Sequence, residues 1–482
     1  RFELGEMDDP SLVSWTGIPY SVVASAKHDS LALEVARQSI VLLSNKNNFL
    51  PLKTKNLKIA VMGPNANDSV MQWGNYNGTP KHTITLLEGI KSMLRSGDSL
   101  IYEKGCDLVE KTLFSSSFAD CKMASQSGFN ATYWNTPDFS GNPVVENLVT
   151  EPFRFCTSGA TVFAPGVSLT NFSARYQSVF VPQQSGEVLF DFYSCGNVSL
   201  KVDGNELKSF KSNHGGRRNV IKLKVEKGKS YPVQIDFAYS MGDAQLNFDI
   251  GFKKEIDIQK TIDKVRDADV ILFAGGISPS LEGEEMGVNL PGFRGGDRTD
   301  IELPEVQRQL IQALKDAGKK IVFVNFSGSP IGLEPEMQNS EAIVQAWYPG
   351  QSGGKAVAEV LFGKYNPSGK LPVTFYKNVH QLPDFENYNM KGRTYRFMDS
   401  IPLFPFGHGL SYSAYKYGNV KLSRKSITET DSITVSVAIK NTGKMDGDEV
   451  VQVYLKKTDD NRGPNKTLRA FRKVHIAAGK TG

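Results

Sequence analysis

Cysteine is scarce in this chain: Cys106, Cys121, Cys156 and Cys195 are the only four in 482 residues. No two of them form a C-x-x-C pair and none stands at zinc-finger spacing, so neither a thiol redox motif nor a structural zinc site is predicted. The spacing selects no disulfide pairing. Histidine is also rare, six in all, and no HExxH or comparable cluster occurs. That predicts no metal and no cofactor built on one. Excess charge is missing too. Lys and Arg number 56 against 51 Asp and Glu, a net charge of +5 spread along the chain, so no nucleic-acid partner or anionic membrane surface is implied. No apolar run approaches the roughly 18 residues of a membrane span. A Gly275-Gly276 pair follows an apolar run, but neither GxGxxG nor a P-loop accompanies it, which removes the usual nucleotide cradles.

What is present is a large core in alternating segments. The length predicts two to four domains. Arg1-Phe-Glu-Leu-Gly-Glu reads as internal sequence, with no secretory leader in it. Residues 1–28 read as irregular. A helix is expected from Asp29, with Ala32, Val35, Ala36, Ile40 and Leu43 on one face. Lys58–Met62 then reads as a strand, 86–94 as a helix and 100–102 as a strand, an α/β alternation. Near Gly128 the pattern changes to short alternating strands that run to about Phe252, an all-β module. The α/β rhythm resumes with a helix over 258–267 and a strand over 269–274. Pro304 opens another helix, and 320–325 and 342–347 read as core strands, apolar nearly throughout as parallel strands are. A final β region follows residue 412. In it, 431–440 and 449–455 alternate strictly. Seven Asn-x-Ser/Thr triplets occur. One, at Asn325, falls in a strand expected to be buried, so the count alone does not mark glycosylation.

The most chemical segment is Leu281-Glu282-Gly283-Glu284-Glu285-Met286, placed just after the 269–274 strand. Clustered carboxylates repel one another, and a carboxyl in such company can act as a general acid. Arg294, Asp297 and Arg298 lie downstream and can return charge to the same place. A solvated acidic loop is the plain reading of the local pattern.

Eight further stretches change that reading. They are Ala36-Arg-Gln-Ser-Ile-Val-Leu-Leu43, Leu50-Pro-Leu52, Gly63-Pro-Asn-Ala66, Gly74-Asn-Tyr76, Asp297-Arg298 with Leu303-Pro304, Gln345-Ala-Trp-Tyr-Pro-Gly350, Gly369-Lys-Leu-Pro-Val-Thr-Phe375 and Pro405-Phe-Gly-His-Gly-Leu-Ser-Tyr412. In order and spacing the chain resembles the C-terminal part of a family 3 glycoside hydrolase. The resemblance implies an α/β sandwich domain over 29–127 and 253–412. It implies a PA14-like β insert at 128–252 and a truncated fibronectin-III-like domain at 413–482. Residues 1–28 would link to a TIM barrel that carries the Asp nucleophile and is absent from this chain. The family motif, Glu-x-Glu followed by Asp-Arg, matches Glu282-Gly283-Glu284 and, after an insertion, Asp297-Arg298.

Glu284 is therefore expected to be the acid/base, with Glu282 second and Glu285 third. His82 and Arg298 are expected near the sugar, although a loop-structural role for His82 competes. His408 reads as a turn-packing residue, and Gly392–Phe397 as structural. The resemblance implies a retaining exo-β-glycosidase acting on oligosaccharides or aryl glycosides, nearest to β-xylosidases. A β-glucosidase, or a carbohydrate-binding fragment without catalysis, are the alternatives. It also implies a secreted or periplasmic location, no calcium in the insert, and no activity for this chain alone.

Overall fold

The computed structural model describes residues 1–123, 126–428, 430–460 and 462–482. It divides into two compact units, 1–110 with 257–482, and Lys111–Ile256.

The first unit is built on a six-stranded sheet. Its strands are β1 (Val41–Asn45), β2 (Lys58–Met62), β3 (Ser99–Glu103), β4 (Val270–Gly276), β5 (Ile321–Phe326) and β6 (Ala342–Gln345). They lie in the order β1-β6-β5-β4-β2-β3, parallel except where β1 meets β6. Strands β4, β5 and β6 are buried along their whole length, which is why their sequences are continuous apolar runs rather than alternations. Helices α1 (Ala26–Ser39) and α2 (Leu86–Met93) each pack against α6 (Gly353–Leu361). Ala36, Leu86, Ile90, Ala356 and Val360 share a core with Ile59, Val61, Leu272, Val324 and Val344. Side chains alternate across a strand, so Met62, Phe273 and Phe323 face the other side. Helices α3 (Ile258–Lys264) and α5 (Glu334–Asn339) form the second group, each a neighbour of α4 (Glu305–Asp316).

Local chemistry sets the helix positions. Thr85 and Glu88 form a reciprocal capping box at the start of α2, satisfying two otherwise free N–H groups. Gly89 is required there because a Cβ would lie 2.2 Å from the carbonyl oxygen of Gly354 on α6.

The helix expected through Leu43 ends at Ser39. Ile40–Leu43 are fully buried, and 41–45 pair antiparallel with β6. Four consecutive buried residues suit a strand covered on both faces and not one face of a helix. The helix expected over 258–267 likewise stops at Lys264.

A buried charge cluster ties α4 to α5. Arg308 donates to Glu336 at 3.0 and 3.2 Å, to Glu302 at 3.0 Å and to the Gly332 carbonyl at 2.9 Å. The Glu336 side chain is fully buried, and Arg308 is its one cationic partner among the described residues. Burial pushes its carboxyl up, and Arg308 opposes that. Arg308→Met is expected to destabilise this unit by about 3–5 kcal/mol, because a buried charge loses its partner. Arg308→Met with Glu336→Met should cost less. Urea unfolding of the two variants checks the pair.

The second unit is all-β, an eleven-stranded sheet system. Its core is aromatic: Phe129 meets Phe153 edge-on at 5.3 Å and Phe248 at 5.7 Å, the arrangement ring quadrupoles favour. The unit is wider than the 128–252 expected. Thr112–Ser116 pairs with Gln245–Glu255, and Cys121–Met123 pairs with Phe172–Phe180. These partners are short and weakly alternating, so their membership comes from pairing rather than from local pattern. The cysteines are free thiols.

The C-terminal region of the first unit carries three antiparallel strand pairs among the described residues, Tyr415–Tyr417 with Ile439–Asn441, Lys421–Leu422 with Val435–Ser436, and Gly447–Leu455 with Thr467–Ile476. The strand expected over 431–440 is not continuous. Only Val435–Ser436 and Ile439–Asn441 are extended and paired, and 430–436 are exposed.

Candidate active site

In the sheet order, β2 leads outward to β3 on one side while β4 leads to β5 and β6 on the other. The crevice between the ends of β2 and β4 is therefore a topological switch point, where open α/β sheets place ligands. Asn65, just after β2, bridges it by donating to the Gly275 and Ile277 carbonyls, both at 3.1 Å. The acidic loop leaves β4 at this edge.

The structure separates the three carboxylates. Leu281 is buried and anchors the loop. Glu282 is half-buried, while Glu284 and Glu285 are exposed. The Glu282 carboxylate accepts from the Tyr348 hydroxyl at 2.7 Å, the Ser329 hydroxyl at 3.1 Å and the Gly328 N–H at 3.3 Å. Its backbone carbonyl accepts from the Asn75 amide at 3.0 Å. Glu284 accepts one hydrogen bond, from the hydroxyl of Tyr76, which raises that phenol's pKa. Both Tyr76 and Glu285 have left-handed backbones, with φ of 53° and 48°, a strained state that accumulates at functional loops.

The insertion between the two halves of the acidic motif is a small antiparallel ladder of Asn289–Leu290, Phe293–Arg294 and Asp297–Arg298. It folds back so that Gly283 donates to Gly296 and Met286 to Gly295, both at 3.0 Å. Arg298 thus returns to the loop despite its distance in sequence. Its guanidinium donates to the Ser329 hydroxyl at 3.1 Å and to the Pro330 carbonyl at 2.7 Å. Nε and Nη2 are buried with no partner among the described residues. Burial pulls the guanidinium pKa down, and the Glu282 charge opposes that.

His82 is exposed on the loop before α2. His408 packs away from the site: its ring stacks on Phe404 at 5.1 Å, Nε2 lies 2.8 Å from the Leu43 carbonyl, and burial lowers its pKa. Arg393 binds the carbonyls of Asp384, Asn387 and Asn389 within its own loop. Among the described residues, no three His, Cys, Asp or Glu side chains come together as a metal site, and no helix is long and apolar enough to cross a membrane.

Reading the sequence missed the roles of Tyr348, Ser329 and Tyr76. Two of them lie in stretches that carried the family resemblance, Gln345–Gly350 and Gly74–Tyr76, so the signal was present without a role attached.

Residues 40–412 match the glycosyl hydrolase family 3 C-terminal domain, and residues 449–482 match a fibronectin type III-like domain. The chain belongs to glycosyl hydrolase family 3. It is 47% identical, over all of its length, to 55% of a xylan 1,4-beta-xylosidase of Xylanibacter ruminicola. It is 26% identical, again over its full length, to 48% of a periplasmic beta-glucosidase of Salmonella typhimurium. The chain spans about half the length of these curated relatives. A crystal structure of a beta-glucosidase from Kluyveromyces marxianus superposes with a TM-score of 0.72 at 26% identity, covering 97% of this chain and 58% of that one.

Proposed function

We propose that this chain is the acid/base-bearing part of a retaining exo-β-glycosidase, most simply a β-xylosidase. The observation that carries the substrate class is the 47% identity to a xylan 1,4-beta-xylosidase along the entire chain. The acidic loop at the switch point supports the chemical role. Retaining hydrolysis needs two carboxyl groups about 5–5.5 Å apart, one as nucleophile and one as acid/base. A TIM barrel of the same polypeptide would supply the nucleophile. Exposed apolar side chains at the start of the chain, including Phe2, Leu12 and Tyr20 at 84, 80 and 78%, support a surface that such a domain covers. The second unit is assigned as a PA14-like insert, and a secreted or periplasmic location follows the same family reading.

Among the three carboxyls, geometry favours Glu282 over Glu284, reversing the order drawn from the motif. A transferable proton must sit within about 0.5 Å of its productive position. Three donors fix the Glu282 carboxyl, whereas Glu284 and Glu285 are solvent-facing.

A β-glucosidase is the second reading, favoured by the superposition on the Kluyveromyces marxianus enzyme. The test is kcat/KM of the full-length enzyme on nitrophenyl β-xyloside and β-glucoside, with the anomer of the first-formed sugar read by NMR. The proposal expects xyloside preference with retention. Inversion, or a preference for glucoside, would reject the mechanism or the substrate respectively.

A further inference from the structure

Tyr348 is held in place by an unusual amount of structure for a single phenol. Strand β6 ends at Gln345, and Ala346 donates to the Asn325 carbonyl at 2.9 Å. The next residue, Trp347, has a left-handed backbone with φ of 61°. L-residues with a large side chain avoid that region, so the surrounding contacts must enforce it. They do: the Trp347 indole donates to the Ser39 carbonyl at 3.0 Å, and its ring meets Phe375 edge-on at 6.2 Å. This turn directs Tyr348 across the C-terminal edge of the sheet to Glu282, which accepts from its hydroxyl.

The opposite wall is shaped to the same contact. At Gly328 a Cβ would lie 2.9 Å from the Tyr348 ring and 3.2 Å from the Glu282 carboxylate, so only glycine leaves both in place. Ser329 then supplies the second hydroxyl donor to Glu282 and also receives Arg298. Burial, reinforced by the neighbouring Glu282, pushes the Tyr348 phenol far above its ordinary pKa. The phenol therefore remains a donor across the whole working range.

We infer that Tyr348, with Ser329 as the second hydroxyl donor, is a positioning residue for the Glu282 carboxyl, aiming it for proton transfer without itself contacting the reacting atoms. This rests on the reading of Glu282 as acid/base. The physical reason is geometric. A carboxyl on a Gly-flanked loop rotates unless its oxygens are tied, and a misplaced proton donor loses rate for leaving groups that need the proton.

The test uses the full-length enzyme, an aryl glycoside series of the sugar it turns over, and leaving groups from phenol to dinitrophenol. Variants are Tyr348→Phe, Ser329→Ala, Glu282→Gln and the double variant Tyr348→Phe with Glu282→Gln. Tyr348→Phe is expected to lower kcat for the phenyl glycoside about ten-fold or more, the scale of one lost hydrogen bond to a charged group. It should lower kcat for the dinitrophenyl glycoside less than about three-fold, with KM little changed. Ser329→Ala should shift the same way by less, and it carries the test if Tyr348→Phe fails to fold. The double variant should match Glu282→Gln alone, because the tie has nothing left to act through. A loss uniform across leaving groups, or additivity in the double variant, overturns the inference while leaving Glu282 in its role. Absence of leaving-group dependence in Glu282→Gln itself rejects the acid/base reading, and the Tyr348 inference with it.

Discussion

Glu282→Gln in the full-length enzyme is expected to cut hydrolysis of glycosides with poor leaving groups by about 10²–10⁴-fold, the range that general acid help provides. The substitution keeps shape: its amide oxygen can still accept from Tyr348 and the Gly328 N–H, and its NH2 then faces the Ser329 hydroxyl, which can accept as well as donate, so the loop should stay folded. What it removes is the proton. Activated aryl glycosides depart without that proton, so their first step should fall far less. The glycosyl-enzyme then lacks a base to activate water, and added azide should speed its turnover. Leaving-group dependence together with azide rescue identifies the acid/base. Glu284→Gln should show neither, since Gln can still accept from Tyr76, and Glu285→Gln should also show neither. If the two signatures appear at Glu284, the motif register outranks the geometry of the isolated loop. If they appear at none of the three, the loop is a solvated acidic surface.

The parallel strands were legible because burial on both faces leaves an unmistakable mark. Val270–Ala274 and Ile321–Val324 are apolar without a break, and the α/β alternation around them follows. That β2 and β4 share one sheet was legible as well, since the patterning switches to β and back between them. Other elements were decided by partners far away in the chain. Ile40–Leu43 reads as a helix face until Ala342–Gln345 arrives to pair with it. Thr112–Ser116 has no pattern of its own, and it joins the second unit through Gln245–Glu255. The 431–440 segment shows the reverse failure: alternation without a buried face to use it. The site follows the same rule. Three acidic residues after a core strand are visible in the sequence. Which one is fixed depends on Tyr348 and Ser329, 66 and 47 residues downstream. Only the folded sheet edge brings them to Glu282 and leaves Glu284 in solvent.

The isolated chain is expected to turn over nitrophenyl β-xyloside at no more than about 10⁻³ of the full-length rate, because one of the two carboxyls in a retaining pair is missing and each such group is worth orders of magnitude. Folding should not be the reason. The sheet and the aromatic core of the second unit close within this chain, so circular dichroism should show a cooperative transition. The apolar side chains left exposed along residues 2–35, among them Leu31 and Val35 on α1 at 60% each, should make the isolated chain prone to self-association. Supplying the proposed barrel as a separate polypeptide should reverse both properties together. Activity should rise with barrel concentration to a plateau, and light scattering should report one-to-one complexes in place of aggregates. Burial of that apolar surface and completion of the carboxyl pair are then the same binding event. Turnover by the isolated chain near the full-length rate would mean that it holds both carboxyls itself. Binding of the barrel without recovery of activity would mean that the acidic loop does not reach the nucleophile.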